Sequence, residues 1–233
     1  MQAIILAAGQ GKRLRPITDE IPKALVEVDG KPIIQRILEQ LKTVGVSEAI
    51  LVVHHKKERV QEKLGNEFEG MKIKYVFQPE MLGDGHAITF AEEHLKQDKF
   101  LVIACDSLFP TEHLAKLLEH DSDGVMTACE VDYESAKRMG VLFTDGKRVS
   151  RIIEKPAEPP STLANTSIYY LPKAIFAAGK KIGRGAGNEF RLVDAIQLLI
   201  DEGKRFHYEP LTQWLDIGTK EQLEEAHELA KKI

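Results

Sequence analysis

The chain has 233 residues, 43% hydrophobic and 29% charged, the composition of a soluble globular protein with room for one large α/β domain or two small ones. Its formal net charge of −4 excludes an overall basic field that would draw it to nucleic acid or anionic membranes. Two cysteines, Cys105 and Cys129, are too few for a disulfide framework or a zinc site and fit a reducing cytosol.

No basic segment precedes the short first apolar run, and no stretch approaches the ~20 apolar residues that span a bilayer. The expected location is therefore cytoplasmic, with neither nucleic acid nor membrane as a partner. The oligomeric state is not legible in any pattern.

Residues 3–6, Ala-Ile-Ile-Leu, are short, β-branched at the centre and soon followed by glycine, which predicts a buried strand. Residues 29–32 form a turn whose Pro32 suits a helix start, and Ile33, Ile34, Ile37, Leu38 and Leu41 then fall at helical spacing. Strands follow at 49–53, 72–77 and 100–104. Helices are expected at 56–64, 85–95 and 111–120, the last with Thr111 as its cap. Such alternation implies a parallel sheet covered by helices, with ligands beyond the carboxyl ends of the strands. The loops after Ala7, Phe77 and Ala104 should line one cleft.

From about residue 124 the rhythm changes. Strands are expected at 124–131, 141–143, 148–154 and 165–171 with less helix between them, then amphipathic helices at 188–202 and 219–231. No internal repeat or low-complexity segment is present.

The stretch from Leu6 to Pro16, LAAGQGKRLRP, carries the first chemical signal. Gly9 and Gly11 permit a sharp turn and close approach of a ligand to the main chain, and successive N–H groups in such a turn form an anion site. Lys12, Arg13 and Arg15 add full charges. The dinucleotide fingerprint fails at Leu14, which disfavours an NAD-linked dehydrogenase, and the Walker pattern lacks its Lys-Ser or Lys-Thr.

The compound pattern L-A-A-G-x-G-x-R-L-x-P-x-T, followed by Pro22-Lys23, resembles the signature of the sugar-1-phosphate nucleotidylyltransferases. Later stretches extend the likeness over nearly the whole chain. The resemblance implies a three-layer, Rossmann-like α/β fold with a mixed, mostly parallel central sheet. It implies a single domain over residues 1–233, with a nucleotide-binding half at 1–123 and a sugar-binding half with closing helices at 124–233. The absence of hexapeptide repeats leads us to expect no acyltransferase β-helix.

By the same resemblance, Leu6, Ala8, Gly9, Gly11, Lys12 and Arg13 bind nucleotide, and Lys23 and Arg13 are catalytic, holding phosphate oxygens. The loop Q-P-E-M-L-G-D-G-H-A resembles the family's base-binding loop. Gln78 offers a donor and an acceptor to a pyrimidine, and Gly83 lets the backbone approach the base. Gln78 favours UTP or dTTP, since guanylyltransferase relatives carry glutamate there. Asp84 replaces the usual threonine, and His86 is read as a packing residue.

Asp106, just past the apolar strand, and Asp216, in W-L-D-I-G-T, match the family's two Mg²⁺ aspartates, Cys105 standing where glycine is usual. Magnesium favours one or two carboxylates plus phosphate oxygens. Gly140, Glu154, Lys155 and Asn165 match the sugar-phosphate positions, with Met139 for an aromatic and Ser167 for a glycine.

The implied reaction is Mg²⁺-dependent transfer of a nucleotidyl group from an NTP to a sugar 1-phosphate, releasing pyrophosphate. A phosphocholine cytidylyltransferase shares the length and first loop, but Glu154-Lys155-Pro156 and Asn165 speak against it. A non-catalytic subunit that senses nucleotide sugar is opposed by Lys23, Asp106 and Asp216.

Overall fold

The computed structural model describes the backbone of residues 1–233 and every side chain but that of Ala186. Its strands are β1 (Gln2–Ala7), β2 (Glu27–Val28), β3 (Lys31–Pro32), β4 (Glu48–Val53), β5 (Glu67–Phe68), β6 (Met71–Phe77), β7 (Lys99–Ala104), β8 (Ser107–Leu108), β9 (Gly124–Glu130), β10 (Gly140–Asp145), β11 (Arg148–Glu154), β12 (Leu163–Pro172), β13 (Phe206–Pro210) and β14 (Leu215–Asp216). The α-helices are α1 (Ile17–Glu20), α2 (Ile33–Thr43), α3 (Lys57–Leu64), α4 (Asp84–Thr89), α5 (Glu112–Leu118), α6 (Tyr133–Ala136), α7 (Ala174–Gly179), α8 (Leu192–Asp201) and α9 (Lys220–Ala230).

One sheet of ten strands runs through both halves of the chain in the order β10-β11-β13-β9-β12-β7-β1-β4-β6-β5. The alternation of its central strands explains the layers. Ala3 and Ile5, Ala49 and Leu51, and Leu101 and Ile103 face one apolar core, together with side chains of α2, α3, α5 and α9. Ile4, Ile50, Val52, Phe100 and Val102 face the other, together with α4, α7 and α8. Strands buried on both faces must read as continuous apolar runs, as these do. The result is the expected three-layer α/β fold.

The parallel share of the sheet is smaller than expected. Strands β7, β1, β4 and β6 are mutually parallel, as are β13 and β9. Strand β12 runs antiparallel to both β7 and β9, and β10, β11 and β5 add further antiparallel pairs. The sheet is mixed, but "mostly parallel" holds only around β1. The reason is connectivity: after β9 the chain has few crossover helices, and strands without crossovers pair antiparallel.

Local departures have local causes. The helix expected over 85–95 ends at Thr89, whose hydroxyl donates to the His86 carbonyl at 2.7 Å, and a short 3-10 turn, Glu92–His94, follows. Thr111 lies at helical angles and makes no side-chain cap. Thr219 does cap α9, accepting from Gln222 N at 3.3 Å. Among the described residues no helix is long and apolar enough to cross a membrane.

Candidate active site

The loops after β1, β6 and β7 open on one side of the sheet, as the strand order requires. Two adjoining cavities lie there. The first, about 450 Å³, is lined by Leu6, Ala8, Gly9, Gln78, Gly83, Asp106, Gly140, Glu154, Lys155, Asn165 and Asp216, among others. The second, about 690 Å³, is lined by Gly9, Gly11, Lys12, Arg13 and Lys23. Every residue that the resemblance assigns to nucleotide, sugar phosphate, metal or catalysis lines one of the two. Arg15 does not: its guanidinium pairs with Asp19 at 3.1 Å on the surface, where solvent screens it.

The first loop is shaped by Gly11, at φ +64°. Its carbonyl accepts from Leu14 N at 2.9 Å and from the Thr18 hydroxyl at 2.8 Å. A Cβ there would stand 2.8 Å from Thr18 Cγ2 and 3.3 Å from Lys23 Cβ. Gly9 has open space around it. Lys12 and Arg13 line the same cavity as this bare backbone.

Asp106 and Asp216 are 110 positions apart and are brought together by a two-residue ladder. Strand β8 pairs antiparallel with β14, setting Asp216 opposite Ser107, and Ile217 N donates to the Asp106 carbonyl at 2.9 Å. Lys23 reaches the same point from the 3-10 turn after Pro22, its Nζ 2.6 Å from Asp106 Oδ2. Burial, and then the neighbouring Asp106 charge, push the Asp216 carboxyl up to about 6, while Lys23 and Arg13 pull it back. Two carboxylates in one place beside cations form a site that gains from a further positive charge. Cys105 is buried, and desolvation holds its thiol well above the usual range, which fits a packing role.

Gln78 is buried, and its amide nitrogen is spent inside its own loop, donating to the Gly83 carbonyl at 3.2 Å and facing His86 Nδ1 at 3.1 Å. His86 also lies 3.1 Å from the Glu80 carbonyl and packs edge-on against Phe90, consistent with a packing role.

On the other side of the first cavity, Glu154 ends β11 directly above Gly140, where a Cβ would lie 2.7 Å from Glu154 Oε2. Burial raises the Glu154 carboxyl, partly offset by Lys155. Lys155 sits at φ +48° with its N–H on the Met139 carbonyl at 3.0 Å, and its Nζ is 3.6 Å from Glu154 Oε1. Asn165 donates to the Tyr169 hydroxyl at 2.7 Å, and its carbonyl accepts from Ser167 N at 3.3 Å. Ser167 lies at φ +58°, the left-handed region in which glycine is most at ease.

Two lining residues carried no sequence signal: Arg138 and Arg191 read as ordinary surface charges, yet they line the first cavity, as does Glu189, which opens the E-F-R-L-V-D-A-I stretch that resembles a helix-start motif of the same family. Arg191 is held by Asp194 at 3.1 Å. Trp214 also lines it, and its buried Nε1 has no protein partner among the described residues. Trp214 opens the W-L-D-I-G-T stretch that carries Asp216.

Residues 2–232 match the family model described as "Nucleotidyl transferase". The chain is 37% identical to UTP–glucose-1-phosphate uridylyltransferase AglF of Haloferax volcanii, over 98% of this chain and 96% of that protein. Among solved structures, a UDP-glucose pyrophosphorylase complexed with UDP-glucose superposes with a TM-score of 0.90 at 25% identity, covering 99% of this chain and 98% of the other. A putative glucose-1-phosphate thymidylyltransferase from Bacillus anthracis superposes with a TM-score of 0.88 at 27% identity, covering 100% of this chain and 96% of the other.

Proposed function

The chain belongs to the nucleotidyl transferase family, and from that premise we propose that it transfers a uridylyl or thymidylyl group from UTP or dTTP to a hexose 1-phosphate, releasing pyrophosphate. The observation that carries this reading is the meeting of Lys23, Asp106 and Asp216 where the glycine-loop cavity adjoins the cavity holding Glu154 and Asn165. The similarity to AglF and to the two solved structures supports the nucleotide and the sugar.

In this reading residues 1–123 and 124–233 form one catalytic unit. An oxygen of the sugar phosphate attacks the α-phosphorus of the NTP. A new P–O bond forms as the bond to the bridging oxygen of pyrophosphate breaks, and the pyrophosphate takes the electron pair. The protein's part is positioning and charge compensation. Gly9 and Gly11 present backbone N–H groups to the phosphates, Lys12 and Arg13 receive the β- and γ-phosphates of the leaving group, and Lys23 meets the reacting phosphate. Lys155 takes the phosphate of the sugar, while Glu154 and Asn165 accept or donate to its hydroxyls. The loop from Gln78 to Gly83 holds the base.

The donor set fits Mg²⁺. It consists of two carboxylates, one of them raised by burial and then by its neighbour's charge, opening on a cavity where phosphate oxygens would complete the shell. Asp106 and Asp216 would hold the ion, which when bound offsets the mutual repulsion of the two phosphorylated substrates.

A pyrophosphate-release assay tests the reading, with UTP, dTTP, CTP and GTP crossed against glucose 1-phosphate, N-acetylglucosamine 1-phosphate, mannose 1-phosphate and phosphocholine. Release with UTP or dTTP and a hexose 1-phosphate is expected. Release confined to CTP and phosphocholine, or none with any pair, contradicts it.

A further inference from the structure

Asp84 stands where the resemblance leads one to expect threonine, and the structure gives its carboxyl two backbone partners. Its Oδ1 accepts from Gly85 N at 2.8 Å, at the start of α4, and from Leu192 N at 2.9 Å, at the start of α8. The two donors are 107 positions apart. The carboxyl is half-buried at the wall of the first cavity and is raised by desolvation, with the bonds from Leu192 and Gly85 opposing that shift. A carboxylate that takes two backbone N–H bonds from different elements is a fixed junction between them.

Around this junction the base loop and the segment before α8 are joined at close range. Phe190 N donates to the Leu82 carbonyl at 2.7 Å, and Gly85 N donates to the Phe190 carbonyl at 2.9 Å. A Cβ on Gly83 or Gly85 would collide with Phe190 O, so both positions hold the two backbones together. The joined segment carries Glu189, which lines both cavities, and Arg191, which lines the first. Immediately upstream, Gly187 and Asn188 lie at φ +79° and +60° in a short 3-10 turn, Ala186–Asn188, so the links to the base loop add to the anchors that Glu189 has at Gly185 N (2.9 Å) and Arg191 has at Asp194 (3.1 Å).

Resting on the proposed reading of the site, we propose that Asp84 is a positioning residue that makes the base loop and the sugar-side wall one unit, so that nucleotide and sugar phosphate bind with positive coupling. A ligand that orders one side also orders the other, and the second ligand meets less of the ordering cost. The charge of Asp84 is incidental; its acceptor reach to Leu192 N is what acts. The threonine hydroxyl is one bond shorter and does not reach.

The test is equilibrium binding of glucose 1-phosphate, measured by calorimetry with and without a saturating, non-transferable α,β-methylene analogue of UTP. The wild type is expected to bind the sugar phosphate about fivefold or more tightly when the analogue is present. In Asp84→Ala the coupling factor should fall to about 1, while Asp84→Asn, which keeps the acceptor, should retain it. Asp84→Thr should behave as the alanine variant does and serves in its place if the latter does not fold. A wild-type coupling factor in Asp84→Ala or Asp84→Thr overturns the proposal, because it assigns Asp84 to structure alone or to direct sugar contact. Independent binding of the two ligands to the wild type also overturns it and leaves the proposed function standing. Failure of the wild type to bind either ligand rejects both.

Discussion

Lys23 and Asp106, 83 positions apart, meet end to end, Nζ on Oδ2 at 2.6 Å, with the lysine side chain largely buried. The lysine comes from the turn after β1 and the aspartate from the end of β7, so the contact joins the two central parallel strands at their carboxyl ends. An ammonium and a carboxylate so placed hold each other at the mouth shared by the two cavities, where the proposed function puts the phosphates. Replacing Lys23 by alanine is expected to lower kcat by roughly 10²–10³, the loss typical of one electrostatic donor. Steady-state pyrophosphate release with UTP or dTTP checks this.

Asp216 sets activity against stability. Its carboxyl is raised to about 6, by burial first and by Asp106 second, so at pH 7 the ligand-free fold carries a charge that its surroundings resist. Asp216→Asn is therefore expected to unfold at higher denaturant concentration than the wild type in the absence of metal, by about 1 kcal/mol. The same variant should lose roughly 10²–10³ in turnover. Denaturation with EDTA present, beside the turnover assay, measures both.

The two glycines of the first loop should respond differently to alanine. Gly11→Ala forces a side chain into the left-handed region and against Thr18, so a loss of about 2 kcal/mol in stability is expected. Gly9→Ala meets nothing in the protein and should fold as the wild type does. Its methyl group would instead stand on the backbone surface offered to the phosphates, raising KM for the NTP. Thermal melts and NTP-dependence curves separate the two outcomes.

A pH dependence of stability resides far from the site. His113 on α5 is buried, faces the Thr127 hydroxyl at 3.1 Å, and is depressed to about 4 by desolvation. The unfolded chain takes up this proton near 6.5 and the folded chain only near 4. Between those values the unfolded state binds more protons, so the stabilisation is complete above about 6.5 and is lost as pH falls towards 4. The loss is expected to be on the order of 2 kcal/mol. His113→Asn should flatten that part of the stability curve measured by urea unfolding.

The central strands and their loops were legible because their physics is local. Doubly buried strands read as apolar runs, and the chain leaves β1 towards Gly9 and β7 towards Asp106. Residues 3–6, 49–53 and 100–104 all lie within observed strands. Strand β13 was missed: Phe-His-Tyr-Glu-Pro has polar residues within it and ends in proline, yet it is held between β11 and β9 by partners more than 55 positions away. Helix α8 begins at Leu192, four residues later than its apolar spacing suggests, because Phe190 is engaged with Leu82 and Gly85.

In the site, the motif residues stood out by type and order. Arg138 and Arg191 did not, since a charge beside a cavity and a charge in water share one sequence signature. Ser167 shows the reverse case. Its left-handed backbone marks the need for a glycine that the chain does without.

The claim at the centre of this account is that Asp106 and Asp216 jointly hold one divalent cation. The direct measurement is titration of Mn²⁺ followed by electron paramagnetic resonance, with the α,β-methylene analogue of UTP present, for the wild type and for Asp106→Ala and Asp216→Ala. The account predicts one tightly held ion in the wild type and an affinity weakened about tenfold or more in each variant. Wild-type affinity in both variants would contradict it.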